Sequence, residues 1–178
     1  MSKLIWTTIL ALAVIGIAWA VVKKSRGAAP VGPDQSIEYP LLNRDHIEVG
    51  DDFGPYNSNP PSSGGHYELT SSKGFHDEPV PDQYVIHNLE HGDVWIAYHP
   101  RISEDAKDAL QKFEFAKIII TPREENEMDI ALVAWGRVDA FDLEDGSLPA
   151  ERIRDFIKRY RNKGPEKLPV GAMEATFN

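Results

Sequence analysis

Apolar and polar positions divide the chain into three regimes. Leu4 to Val22, LIWTTILALAVIGIAWAVV, is an unbroken run of 19 uncharged, mostly apolar residues. As helix it spans about 28 Å, the thickness of one hydrocarbon core. From Ile37 to about Asp82 turn formers dominate, as in DDFGPYNSNPPSSGGH, and no period of 2 or 3.6 is sustained. This stretch reads as ordered loop. Regular patterning begins after it. Tyr84 to Ile86 reads as a short strand and HNLEH as a turn, and in Asp93 to His99 the residues Val94, Ile96 and Tyr98 alternate with Trp95 and Ala97 as in a strand. SEDAKDALQKFEF is amphipathic, with Ser103 as its cap and Ala106, Leu110 and Phe113 at helical spacing. KIIIT (Lys117 to Thr121) and DIALVAWGRV (Asp129 to Val138) read as two strands forming a hairpin across PREENEM. PAERIRDFIKRYRNKG puts Ile153, Phe156, Ile157 and Tyr160 on one helical face, between Pro149 and Gly164-Pro165. The tail EKLPVGAMEATFN reads as extended and docked.

Strands and helices that do not alternate regularly predict an α+β domain, its antiparallel or mixed sheet covered by helices on one face. The expected organisation is an anchor over residues 1–26, a Gly, Pro and Ala-rich linker over 27–36 and one domain over 37–178. Trp6 and Trp19 sit near the ends of the apolar run, and Lys23, Lys24 and Arg26 stop it. An uncleaved transmembrane helix is the first expectation. A cleaved secretory signal ending at Ala18-Trp19-Ala20 is the rival, and the run is longer than a signal core.

Charge sharpens the picture. The net charge is −9, but residues 1–26 hold four basic side chains and no acid, leaving 15 basic against 28 acidic beyond them. A domain near −13 repels phosphate backbones, so no nucleic-acid partner is expected, while a cation fits. There is no cysteine. That removes disulfides, iron–sulfur clusters, thiolate nucleophiles and every thiolate metal site, so a metal must be held by His, Met, carboxylate or backbone.

Six histidines, at 46, 66, 76, 87, 91 and 99, all precede residue 100. His87 and His91 are four apart, the spacing at which one helical turn aims two imidazoles at one point, and Gly92 ends such a turn. The competing interpretation is two unrelated surface histidines. His66 closes PPSSGG, whose prolines stiffen a loop and whose glycines allow close backbone approach, as a third ligand would need. HNLEH also fits the H-x-x-E-H zinc-protease pattern with Glu90 as base, but that chemistry uses a long helix, and DVWIAYHP has strand alternation. Glu90 otherwise orients an imidazole or is simply solvated. His46 and Met173 are further candidate ligands, and a thioether at Met173 would select Cu(I).

The segments YNSNPPSSGGHY, VPDQYVIHNLEHGDVWIAYHP and FIKRYRNKGPEK resemble the domain of unknown function 3105, found in small membrane-anchored proteins of bacteria and archaea that face outside the cytoplasm. The resemblance covers most of residues 44 to 170. It implies an extracytoplasmic domain, against a charge count that weakly favours a cytoplasmic carboxyl side. It also implies that His66, His87 and His91 belong to one site, with His46 matching a histidine ahead of the first motif. It assigns no reaction. The leading expectation is a single-pass membrane protein that binds copper, with zinc as the alternative metal, through His66, His87 and His91 with Met173 or His46 as a fourth ligand. Its work would be metal handling, or service as an accessory subunit of a membrane complex. A zinc-dependent hydrolase using Glu90 and a metal-free interaction module are the two alternatives.

Overall fold

The computed structural model describes residues 30–51, 53–166 and 175–177. The apolar segment Leu4–Val22 and Met173 therefore lie outside the described residues. Among those described, no helix is long and apolar enough to cross a membrane.

The described residues form eight strands and three helices, in the order β1 (Ile37–Glu38), β2 (Thr70–Ser71), β3 (Gly74–Phe75), α1 (Asp82–Glu90), β4 (Val94–Tyr98), α2 (Glu104–Gln111), β5 (Ile118–Pro122), β6 (Ile130–Ala134), β7 (Arg137–Phe141), α3 (Ala150–Tyr160) and β8 (Thr176–Phe177). Six strands form one mixed sheet in the order β1-β7-β6-β4-β5-β3, and β2 pairs with β8 in parallel. The fold is α+β with a mixed sheet.

The alternation in β4 decides how the layers stack. Val94, Ile96 and Tyr98 face a cluster with Leu110 of α2 and Ile153, Phe156 and Ile157 of α3. Trp95 and Ala97 face the other side, where Val85 and Leu89 of α1 pack. Helices thus cover both faces of the sheet, not one. Burying an aliphatic side chain of this kind stabilises the fold by about 1.5–3 kcal/mol, so both layers contribute substantially.

Three local expectations change. Tyr84 to Ile86 is helix, not strand, because α1 is buried from Tyr84 through Glu90. A helix buried on nearly all sides shows no amphipathic period, and a short apolar run then looks like a strand. KIIIT and the following strand do not form a hairpin. β4 lies between them, parallel to β5 and antiparallel to β6. The PREENEM loop instead crosses the end of β4, where Arg123 N–H donates to the Tyr98 carbonyl (2.9 Å) and Asn126 Nδ2 to that of Ala97 (3.0 Å). Last, Asp129 to Val138 is two strands, β6 and β7, joined through Trp135-Gly136 and paired from Ala134↔Arg137 to Ile130↔Phe141. The amphipathic helices fall as the periodicity predicts, and Ser103 Oγ accepts from Ala106 N–H at the start of α2.

Candidate metal centre

The end of α1 carries the chemistry. His87 and Glu90 are three apart, so both project from the same side of the helix. The helix stops at His91 and turns through Gly92, whose φ of +80° suits glycine. A Cβ there would also meet Asn162 Cα at 2.9 Å. The segment after α3 seats against this end: Asn162 N–H donates to the Gly92 carbonyl (2.7 Å) and Glu166 N–H to that of Glu90 (3.1 Å). Carbonyls that a helix terminus leaves without partners are thereby satisfied. Behind it, buried Asp93 faces Lys117 Nζ at 3.2 Å and accepts from Asn88 Nδ2 at 3.1 Å, fixing the step from α1 into β4.

The loop before α1 delivers the other donors. His66 is fully buried at the end of the glycine turn. At Gly64, with φ +130°, a side chain would strike the Tyr56 ring at 2.8 Å. His66 pairs with the segment around His46 through Ile47 N–H to the His66 carbonyl (2.9 Å) and His66 N–H to the Asp45 carbonyl (3.1 Å). The three imidazoles of His46, His66 and His87 lie 4.8–5.1 Å apart, centroid to centroid. One ligand atom from each of His46, His66, His87 and Glu90 lies within 4.8 Å of all the others.

Hydrogen bonds set the tautomers. His66 Nδ1 is 2.8 Å from the Gly64 carbonyl and His87 Nδ1 is 2.9 Å from the Tyr67 carbonyl. A carbonyl only accepts, so each Nδ1 carries the proton and each neutral ring keeps its lone pair on Nε2. His66 Nε2 lies 3.1 Å from Glu90 Oε2, yet it is buried without an aligned hydrogen bond. Two lone-pair atoms at that distance repel unless a cation lies between them. A proton is disfavoured there: burial holds the His66 imidazole below its ordinary range, although the Gly64 carbonyl and Glu90 oppose that shift. Burial, then the charges of His66 and His91, push His87 down to about 4. The two buried imidazoles, His66 and His87, are therefore neutral at neutral pH, the form that binds metal. On the outer side Arg44 Nη1 donates to Glu90 Oε1 at 3.0 Å, which orients the carboxylate.

His91 stands beside this group and not within it. Its ring is 4.6 Å from that of His87, and its Nε2 lies 3.6 Å from Glu166 Oε2. The set of four thus takes Glu90 where the sequence suggested His91. The i, i+3 spacing of His87 and Glu90 is the signal that could have found it. Arg44 and Glu166 carried no signal, since their roles depend on distant chain segments. His76 and His99 serve locally, at the Ser72 carbonyl and the Arg101 N–H.

The sequence profile of one family, described as "Protein of unknown function (DUF3105)", matches residues 50–171. The chain belongs to the DUF3105 family. The DUF3105 span includes His66, His87, Glu90 and the Asn162–Glu166 support, and begins after Arg44 and His46. No curated protein and no solved structure matches the chain.

Proposed function

We propose that this DUF3105 protein is a membrane-anchored, extracytoplasmic metal-binding protein whose site is His46, His66, His87 and Glu90. The observation that carries the proposal is the buried approach of His66 Nε2 to Glu90 Oε2, 3.1 Å apart, with Nδ1 already committed to a carbonyl. An ion between them turns a repulsive contact into two bonds. Three imidazoles and a carboxylate suit a borderline divalent ion, and an N/O site of this kind binds Cu(II) ahead of Zn(II). Copper is thus the leading ion, in its divalent state, and zinc the competitor. Cu(I) would need the Met173 thioether to join the set. The anchor rests on Leu4–Val22. Metal handling, or service to a larger membrane assembly, is the work that follows.

A zinc-dependent hydrolase ranks second. It needs the Glu90 carboxylate free to take a proton from metal-bound water. Its closeness to His66 Nε2 favours a ligand over a base. The test is elemental analysis of the purified full chain, followed by competition titration with Cu(II) and Zn(II). One equivalent of ion, bound more tightly as Cu(II) and lost in His66→Ala, supports the proposal. Affinity no better than that of exposed histidines, or unchanged by His66→Ala, refutes it.

A further inference from the structure

The four candidate ligands are unequally exposed. His66, His87 and Glu90 are buried, whereas His46 is exposed and lines a cleft of about 180 Å³ with Glu48, Val49, Tyr67, Glu68 and Leu69. Holding one water takes about 10–15 Å³ of such space, so the cleft has room for an ion still carrying part of its hydration shell. Tyr67, which also lines the cleft, fixes His87 through the carbonyl that accepts from Nδ1. His46 itself is tied by its backbone bridge to His66, and its ring lies 5.0–5.1 Å from those of His66 and His87, so one residue borders both the cleft and the buried donors. The far side of His87 is lined by His91, whose ring is 4.6 Å away. His91 is 8 % exposed, and the Asn162–Glu166 segment is hydrogen-bonded across the end of α1.

We propose that the His46 cleft is the port through which a hydrated divalent cation enters and leaves the site. His46 exchanges first with water on the ion, and Glu48 and Glu68 raise the local cation concentration at the mouth. The remaining waters then give way to His66, His87 and Glu90. This inference rests on the metal-binding proposal and adds a route and an order to it.

Stopped-flow mixing of Zn(II) with the full chain tests it, followed by tryptophan emission, since Trp135 lies 6.5 Å from the His66 ring. Glu48→Gln with Glu68→Gln should slow association about 3- to 10-fold at low salt, with the difference fading at high salt. Asp105→Asn with Asp108→Asn, exposed on α2 across the sheet from α1, removes the same charge and should leave the rate unchanged. Leu69→Phe, which narrows the cleft at a residue that is not itself a candidate ligand, should slow association and dissociation by the same factor and leave their ratio as it was. An unaltered rate in the Glu48 and Glu68 double variant, or an equal slowing in the Asp105 and Asp108 variant, would overturn the port. Saturable binding in the unaltered chain must come first. Its absence would defeat the metal-binding proposal itself, and the port with it.

Discussion

At the scale of single residues, two backbone carbonyls orient the candidate ligands. Gly64 and Tyr67 each take the Nδ1 proton of a buried imidazole, so the free electron pairs of His66 and His87 face inward toward Glu90. Removing either imidazole should lower metal affinity by more than about 100-fold, since even the groups that orient ligands cost 10- to 100-fold when lost. Arg44→Ala belongs to that milder class and should weaken binding by about tenfold, measured by the same competition titration. The pH response also belongs here. His87 titrates at about 4 in the folded chain, below its ordinary value of about 6.5 when unfolded. At pH values between the two, the unfolded chain binds the extra proton and the folded chain does not. Stability is therefore unaffected above about pH 6.5 and declines toward pH 4, by on the order of 3 kcal/mol for this group. Urea unfolding of the metal-free chain at several pH values should show that decline, and His87→Gln should flatten it.

At the scale of elements, α1 is the positioning device, and its burial is why the sequence misrepresented it. Val85 and Leu89 are packed on Trp95, Ile119 and Val133 of the sheet, while His87, Asn88 and Glu90 are buried among loops on other sides. With polar and apolar positions equally buried, the hydrophobic pattern of Tyr84–Ile86 has no exposed face to contrast with. The two amphipathic helices kept that contrast and were legible for the same reason. The hairpin expected across PREENEM failed differently: adjacency in sequence suggested a pairing, but β5 already lies beside β4 in parallel and β6 takes β4's other edge. Leu89→Ala should cost about 2–5 kcal/mol, read from chemical denaturation, because it opens a cavity between α1 and the sheet. Gly92→Ala should also destabilise the fold, through its positive φ and its contact with Asn162. That loss should reach the site as weaker metal binding, since the same contact holds the end of α1.

For the whole molecule, the histidines were legible as a group and their geometry was not. Spacing along the chain brought His87 and His91 together. The closure of the site depends instead on residues from separate segments, with His46 and Arg44 arriving from one loop, His66 from another and Glu90 from α1. Helices lie on both faces of the sheet, and of the four candidate ligands His46 is exposed and the other three are buried. The proposed anchor makes its own prediction. The full chain should sediment with membranes and resist carbonate extraction, whereas a chain lacking residues 1–26 should not. Soluble full-length protein would remove the membrane from the account and leave the site intact. The central claim is the four-ligand centre, and electron paramagnetic resonance of the full chain loaded with one equivalent of Cu(II) addresses it most directly. The account predicts a single copper species with hyperfine coupling to three imidazole nitrogens, reduced to two in His46→Ala and replaced by a different spectrum in Glu90→Gln. Coupling to fewer nitrogens in the unaltered protein, or a spectrum indifferent to His46 and Glu90, would contradict it.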